Sequence, residues 1–373
     1  MHVKIEKLIT GGLGLAHLDD KTIFVKDTLP SEEVECTLVQ EKKNYSLYQC
    51  TKVLTQSPDR ITPQCKYYGL CGGCDFAHLT AKASALAKEA IVKDNLSRIG
   101  KVDYPYLALP SLYSTLDDYR IRVRFHVDLK NKQIGFLREK DPTLVSIDHC
   151  PCLTKGLNAL LRTKREILEV AKRIRLEKGA NRYGFVEVPL LEGDDGISFG
   201  RNRVKVLGYT VDATCFFQSN IKVLPQMLES VKRETIGDTI MDLYSGVGTF
   251  SHLFPDKTVY AVEKYKGCLQ YSKLNAPHAH SVTEDVFVWA KRKQREEIDT
   301  IIVDPPRVGL QKEVPALLLS FTPKRIIYIS CDSVTLSRDI PLFWPYKVKK
   351  LQVFDLYPGS HHEECMVVLE RDN

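Results

Sequence analysis

Two short stretches hold residues able to break and make covalent bonds. In Arg325-Ile-Ile-Tyr-Ile-Ser330-Cys331-Asp332-Ser333 an apolar β-type run stops at a cysteine, and Asp332 or Ser333 can cap a following helix. A thiol at a helix N-terminus is expected to have a lowered pKa and to favour thiolate, the nucleophilic form. The second stretch, His361-His362-Glu363-Glu364, precedes the apolar run 366–369. Neighbouring residues in such a loop cannot all converge on one metal ion, and a charged hairpin turn is the plain alternative.

Both stretches belong to a half with strand-like runs at 239–243, 258–262, 299–303 and 325–329, alternating with helical ones. That alternation predicts an open, Rossmann-like α/β sheet, whose ligands bind at the C-terminal ends of its strands. Asp242-Leu-Tyr244-Ser-Gly246-Val-Gly248-Thr249 forms a strand end, a glycine turn and a helix start. Gly246 and Gly248 allow close backbone approach to a ligand. Glu263 ends the second strand, where an acid can bind ribose hydroxyls, and Asp285 follows the third, within reach of an adenine amine. With no third glycine and no basic cluster for a pyrophosphate, a nucleoside without phosphates such as S-adenosylmethionine fits better. Asp304-Pro-Pro-Arg307 ends the fourth strand in a stiff loop.

A thiolate and a carboxylate beside a methyl donor suit one reaction. Uracil C5 is too weak a nucleophile to take a methyl group unaided. Thiolate addition at C6 gives an enolate that can attack the methyl, and a base must then remove the C5 proton. An exocyclic amino-methyltransferase is the rival reading, since it also uses Asp-Pro-Pro, but it needs no cysteine. A non-catalytic iron–sulfur RNA-binding protein and an electron-transfer protein are further rivals.

The chain has 373 residues, 43% hydrophobic and 27% charged, with a net charge of +6. These values suit a soluble protein of two or three domains with an anionic partner. No apolar run is long enough to span a membrane and no secretory signal is evident, so a cytoplasmic location is expected. Residues 1–54 hold short β runs at 3–8, 22–25, 33–39 and 47–53 and predict a small antiparallel barrel. Residues 55–210 form an expected central, mostly antiparallel β domain that holds a cysteine cluster. Its helix over 80–99 could pack on the third domain, 211–373, and a further helix is expected between Thr154 and Gly179. Arg120, Arg122 and Arg124 alternate, placing them on one strand face, in a stretch (120–140) with seven basic and two acidic residues. That face suits RNA phosphates. Eleven cysteines are many for a reducing compartment. Cys65, Cys71 and Cys74 signal a metal, and spacing alone does not choose zinc over iron–sulfur.

Taken together, Phe216-Phe-Gln218-Ser-Asn220, the Asp242–Gly248 turn, Glu263, Asp304-Pro-Pro-Arg307, Ser330-Cys331 and His362-Glu363-Glu364 occur in an order that resembles the RNA (uracil-5)-methyltransferases, nearly full length. The branch acting on 23S ribosomal RNA is the most similar. The resemblance implies a class I methyltransferase domain with Cys331 as nucleophile and Glu364 as base. It implies S-adenosylmethionine contacts at Gln218, Tyr244, Glu263, Asp285 and Asp304, completed by Gly246, Gly248 and Thr249 of the turn. The first domain resembles a TRAM barrel, related to the OB fold. Cys65, Cys71, Cys74 and Cys150 resemble the ligands of a [4Fe–4S] cluster; Cys152 is the other candidate for the fourth position, and Cys150 is preferred because it precedes a proline. A monomer acting on an unpaired or flipped uracil of 23S rRNA is expected, with tRNA as the alternative substrate. Asp332 stands where relatives usually have Asn.

Overall fold

The computed structural model describes residues 1–372 apart from residues 19, 20, 140 and 295. Lys140, the last residue of the basic stretch, thus lies outside the described residues. Residues 2–9 supply both edges of the first sheet: His2–Lys4 pairs with Glu33–Glu41, and Lys7–Ile9 pairs with Leu13–Leu18. One run of chain on both edges makes the sheet curl back on itself, around Val3, Ile5, Ala16, Ile23, Val25 and Val34. It is not wholly antiparallel as expected, because Lys21–Lys26 runs parallel to Tyr45–Thr55. The strand Leu13–Leu18 was also unforeseen. Gly14 disguises it: a Cβ there would lie 2.2 Å from Thr28 Oγ1, so tight packing rather than a turn requires the glycine.

The second sheet is antiparallel, in the order Leu144–Ser146, Gln133–Leu137, Arg122–Asp128, Val186–Gly193, Gly196–Phe199. Val123, Phe125 and Val127 face its core, so Arg122 and Arg124 share the opposite face. The helix expected between 154 and 179 is two, Lys155–Thr163 and Arg165–Lys178, because Lys164 adopts a left-handed φ of 60°.

The third sheet has the five parallel strands His280–Thr283, Thr258–Glu263, Thr239–Leu243, Thr300–Val303 and Arg325–Ser330 in that spatial order. Cys365–Arg371 follows antiparallel, then Tyr346–Asp355. Apolar clusters cover both faces, which explains the near-continuous apolar runs of its strands. The short strands Leu107–Ala108 and Leu112–Tyr113 add to the outer edge of Tyr346–Asp355.

The helix Ala81–Arg98 starts at Thr80, whose hydroxyl accepts the Ala83 N–H at 3.2 Å. Val92 and Leu96 join the core of the third sheet. Apolar spacing describes its buried face only in part: Leu86 is 51% exposed, whereas Lys88 is fully buried. Lys88 Nζ donates to Asp355 Oδ1 at 2.6 Å and Ser84 Oγ to Asp355 Oδ2 at 2.8 Å, an ion pair between segments distant in sequence. No described helix is long and apolar enough to cross a membrane.

Candidate active site

Ser330 and Cys365 are register partners in the antiparallel pair of Arg325–Ser330 and Cys365–Arg371. One step beyond that rung stand Cys331 and Glu364, so the thiol and the carboxylate come off neighbouring strand ends. Asp332 caps the helix Ser333–Asp339 by accepting the Thr335 N–H at 2.8 Å. Glu363 Oε1 accepts the Ser333 N–H at 2.8 Å and also meets the Ser333 hydroxyl. The turn after Cys331 is thereby tied to the residue before Glu364. Neither the role of Glu363 nor its partner could be read from sequence.

The electrostatics reverse one expectation. Burial pushes the Cys331 thiol up to about 12, and Glu364 and Asp304 add to the rise while Arg307 opposes it. The helix N-terminus does not win, because burial first, and then the charges of Glu364 and Asp304, oppose it. Burial, helped by Asp304, also holds Glu364 far above the usual carboxylate range. Asp304 is pushed up to about 7 by burial and by Asp242, and Asp242 to about 6 by burial despite its bonds from Ser251. Tyr357, unassigned from sequence, is raised to about 12, by burial first and by Glu364 and Cys331, against the pull of Arg120 and Arg122.

Tyr244, Gly246, Gly248, Glu263 and Asp285 come at or just after strand ends on the same sheet edge. Gly246 donates its N–H to Glu263 Oε2 at 3.0 Å, and Glu263 Oε1 accepts the Tyr265 N–H at 2.7 Å. Gly248 has a φ of 81°, and a Cβ there would lie 3.1 Å from Ser272. Tyr244 also has a positive φ, 63°. The carbonyl of Thr249, at the end of the turn, accepts the Tyr209 hydroxyl at 2.9 Å. Asp285 caps the helix Val286–Arg292 through the Phe287 N–H and pairs with Lys264 at 3.2 Å. Among the described residues, Gln218 Oε1, Asp242 Oδ1, Ser245 Oγ and Glu364 Oε1 are buried without a hydrogen-bond partner. Unpaired polar atoms of this kind fit a polar ligand that supplies the missing partners.

Residues 291–372 match the family model described as tRNA (uracil-5-)-methyltransferase. An RNA methyltransferase of Treponema denticola is 30% identical over 99% of both chains. The chain belongs to the RNA uracil-5-methyltransferase family. The 23S rRNA (uracil(1939)-C(5))-methyltransferase RlmD of Thiobacillus denitrificans is 29% identical to this methyltransferase, over 99% of each chain. A similar fold is found in the tRNA (uracil-54, C5)-methyltransferase of Pyrococcus abyssi, solved with S-adenosyl-L-homocysteine. It has a TM-score of 0.73 at 22% identity and covers 99% of this chain and all of that one.

The methyltransferase also gathers its cysteines. Cys65, Cys71, Cys74, Cys150 and Cys152 all line one cavity, together with Arg120. Cys74 Sγ and Cys152 Sγ are 3.9 Å apart. Among the described residues no three His, Cys, Asp or Glu side chains form a group that could hold one metal ion. Arg120 departs from the expected surface row. It precedes the strand, and its buried Nε has no partner among the described residues. Arg122 stands 5.7 Å from the ring centre of Phe216, and Arg124, the outermost of the three, pairs with Glu187 at 3.2 Å.

Proposed function

We propose that this enzyme transfers a methyl group from S-adenosylmethionine to C5 of a uracil in 23S rRNA, through a covalent bond between Cys331 and C6. The placement of Cys331 and Glu364 on adjacent strand ends carries the reading, and the 23S rRNA methyltransferases among its relatives favour that substrate. As the S–C6 bond forms, the thiol proton passes to solvent water and the C5–C6 π electrons move to C5. C5 takes the methyl, leaving S-adenosylhomocysteine. Glu364 then removes the C5 proton, the C5–H electron pair restores the C5–C6 double bond, and the thiolate leaves. The positive charge of Arg307 opposes the rise at Glu364 and favours the ionised carboxylate that this last step needs.

Gln218, Tyr244, Gly246, Gly248, Thr249, Glu263, Asp285 and Asp304 hold the donor in this reading. Arg122 and Arg124 bind RNA phosphates beside the exposed ring of Phe216. Arg120 serves the cysteine cavity instead. Cys65, Cys71, Cys74 and Cys150, with Cys152 as the other candidate for the fourth position, line one cavity and would hold a [4Fe–4S] cluster, which the resemblance favours over zinc. Such a cluster would supply a thiolate cross-link whose negative charge Arg120 offsets. No step of the methyl transfer passes through it.

The reading is tested with purified protein, methyl-labelled donor, and 23S rRNA and tRNA transcripts lacking modification. Label at a 23S uracil and its loss in Cys331→Ala support the reading. Label confined to tRNA overturns the substrate, and full activity of Cys331→Ala overturns the chemistry. Anaerobic absorption with iron and sulfide analysis tests the cluster, and zinc alone would refute it.

A further inference from the structure

The loop 356–364 carries the base but lies between strands, so other segments must fix it. Its two ends have their own ties: Lys88 Nζ donates to the Tyr357 carbonyl at 3.1 Å, and Glu363 holds Ser333. The middle is held by Asp75, the residue after Cys74. The N–H groups of Asp75 and Phe76 donate to the Gly359 carbonyl at 3.0 and 2.9 Å. Asp75 Oδ1 accepts the His361 N–H at 2.8 Å, and Oδ2 meets His361 Nδ1. These contacts form a four-point clasp between a cysteine-rich segment and a loop nearly 300 residues away in sequence.

The clasp leaves no slack. Gly359 has a φ of 82°, and a Cβ on it would lie 2.3 Å from Leu116 Cδ1 and 3.7 Å from Cys74 Sγ. The first sheet closes on the clasp from the other side. A Cβ on Gly12 would lie 3.0 Å from His361 Cβ and 2.7 Å from Phe76 Cε1.

We propose that Asp75, acting through His361, is a positioning residue for Glu364, setting the base against the C5 proton; this inference rests on the covalent mechanism above. Asp75 touches no reacting atom. Its effect falls on one step, because bond formation by Cys331 and methyl transfer do not use the base. A displacement of about 1 Å at the base can slow that step on the order of 100-fold. The species before it, methylated RNA still joined to Cys331, should then accumulate.

The experiment compares wild type, Asp75→Asn, His361→Gln and Glu364→Gln as full-length protein with natural-sequence RNA. Turnover, the KM for the donor, thermal midpoint and the denaturant-resistant RNA–protein adduct are measured. In Asp75→Asn and His361→Gln, kcat is expected to fall roughly 10- to 100-fold with an unchanged donor KM, while the adduct rises severalfold. Wild-type kcat and adduct in both variants would overturn the proposal. So would slower turnover without adduct, with or without a lower thermal midpoint, since a merely structural role moves stability and not the adduct. Glu364→Gln separates the two readings: no adduct there means the covalent mechanism has failed, irrespective of Asp75.

Discussion

Glu363 accepts the backbone N–H of Ser333 at 2.8 Å, which joins the residue before the base to the second residue after the nucleophile. This bond, with the Ser330–Cys365 register, is one of the ties that set the distance between the two reactive groups. Glu363→Ala leaves a buried N–H without its acceptor and should cost about 1–3 kcal/mol in urea unfolding. Its kcat should fall at least about tenfold, whereas Glu363→Gln, which keeps an acceptor oxygen, should retain most of the stability. An alanine variant with wild-type kcat would show that the bond does not position the site.

With its pKa near 12, the Cys331 thiol is thiolate in only roughly one molecule in ten thousand at pH 8 without ligands. Iodoacetamide should therefore alkylate Cys331 slowly, at a rate rising about tenfold per pH unit above neutrality. Removing the charge of Asp304, which is ionised at pH 8, as Asp304→Asn, should lower the thiol pKa and speed alkylation at pH 8 even as methylation is lost. Slower alkylation of this variant would contradict the electrostatic account.

Asp304 and Asp242 titrate near 7 and 6 in the folded protein, above the usual aspartate value. A raised carboxyl pKa means the folded state binds more protons than the unfolded one. The stability it confers is present below about pH 4 and is lost as pH rises through 6 and 7. Asp304→Asn should then melt at a higher temperature than wild type at pH 8, and the gap should close toward pH 4. Thermal scans across that range decide it, and a gap that widens on acidification would be the wrong sign.

Lys88 and Asp355 are both fully buried and meet at 2.6 Å, clamping the helix Ala81–Arg98 to the catalytic sheet. Lys88→Met strands a carboxylate in the interior and should destabilise by about 3–5 kcal/mol. The double variant Lys88→Met with Asp355→Leu should recover much of that loss, because no unpaired charge remains. Denaturant unfolding of the two variants measures the recovery; equal losses in single and double variants would mean that packing, not charge, dominates.

Within the third sheet, the apolar runs of its parallel strands are long enough to demand burial on both faces, and glycines and acids mark where each strand ends. Strand positions, the turn at Gly246 and Gly248, and a cap at Asp332 or Ser333 were therefore legible from local composition alone, and the structure gives the cap to Asp332. The alternation of Arg122 and Arg124 with buried Val123 and Phe125 was legible for the same reason, since strand period is a local property. What the sequence could not supply is any quantity set by groups distant along the chain. Cys331 looks like an activated thiol until Glu364 and Asp304 are placed beside it, and Arg120 looks like part of a surface row until the cysteines close around it. Lys88 reads as solvent-facing until Asp355 meets it. Burial and Coulomb energy depend on three-dimensional neighbours, so only the tertiary structure decided the charge state of the site and the segments that hold its base in place.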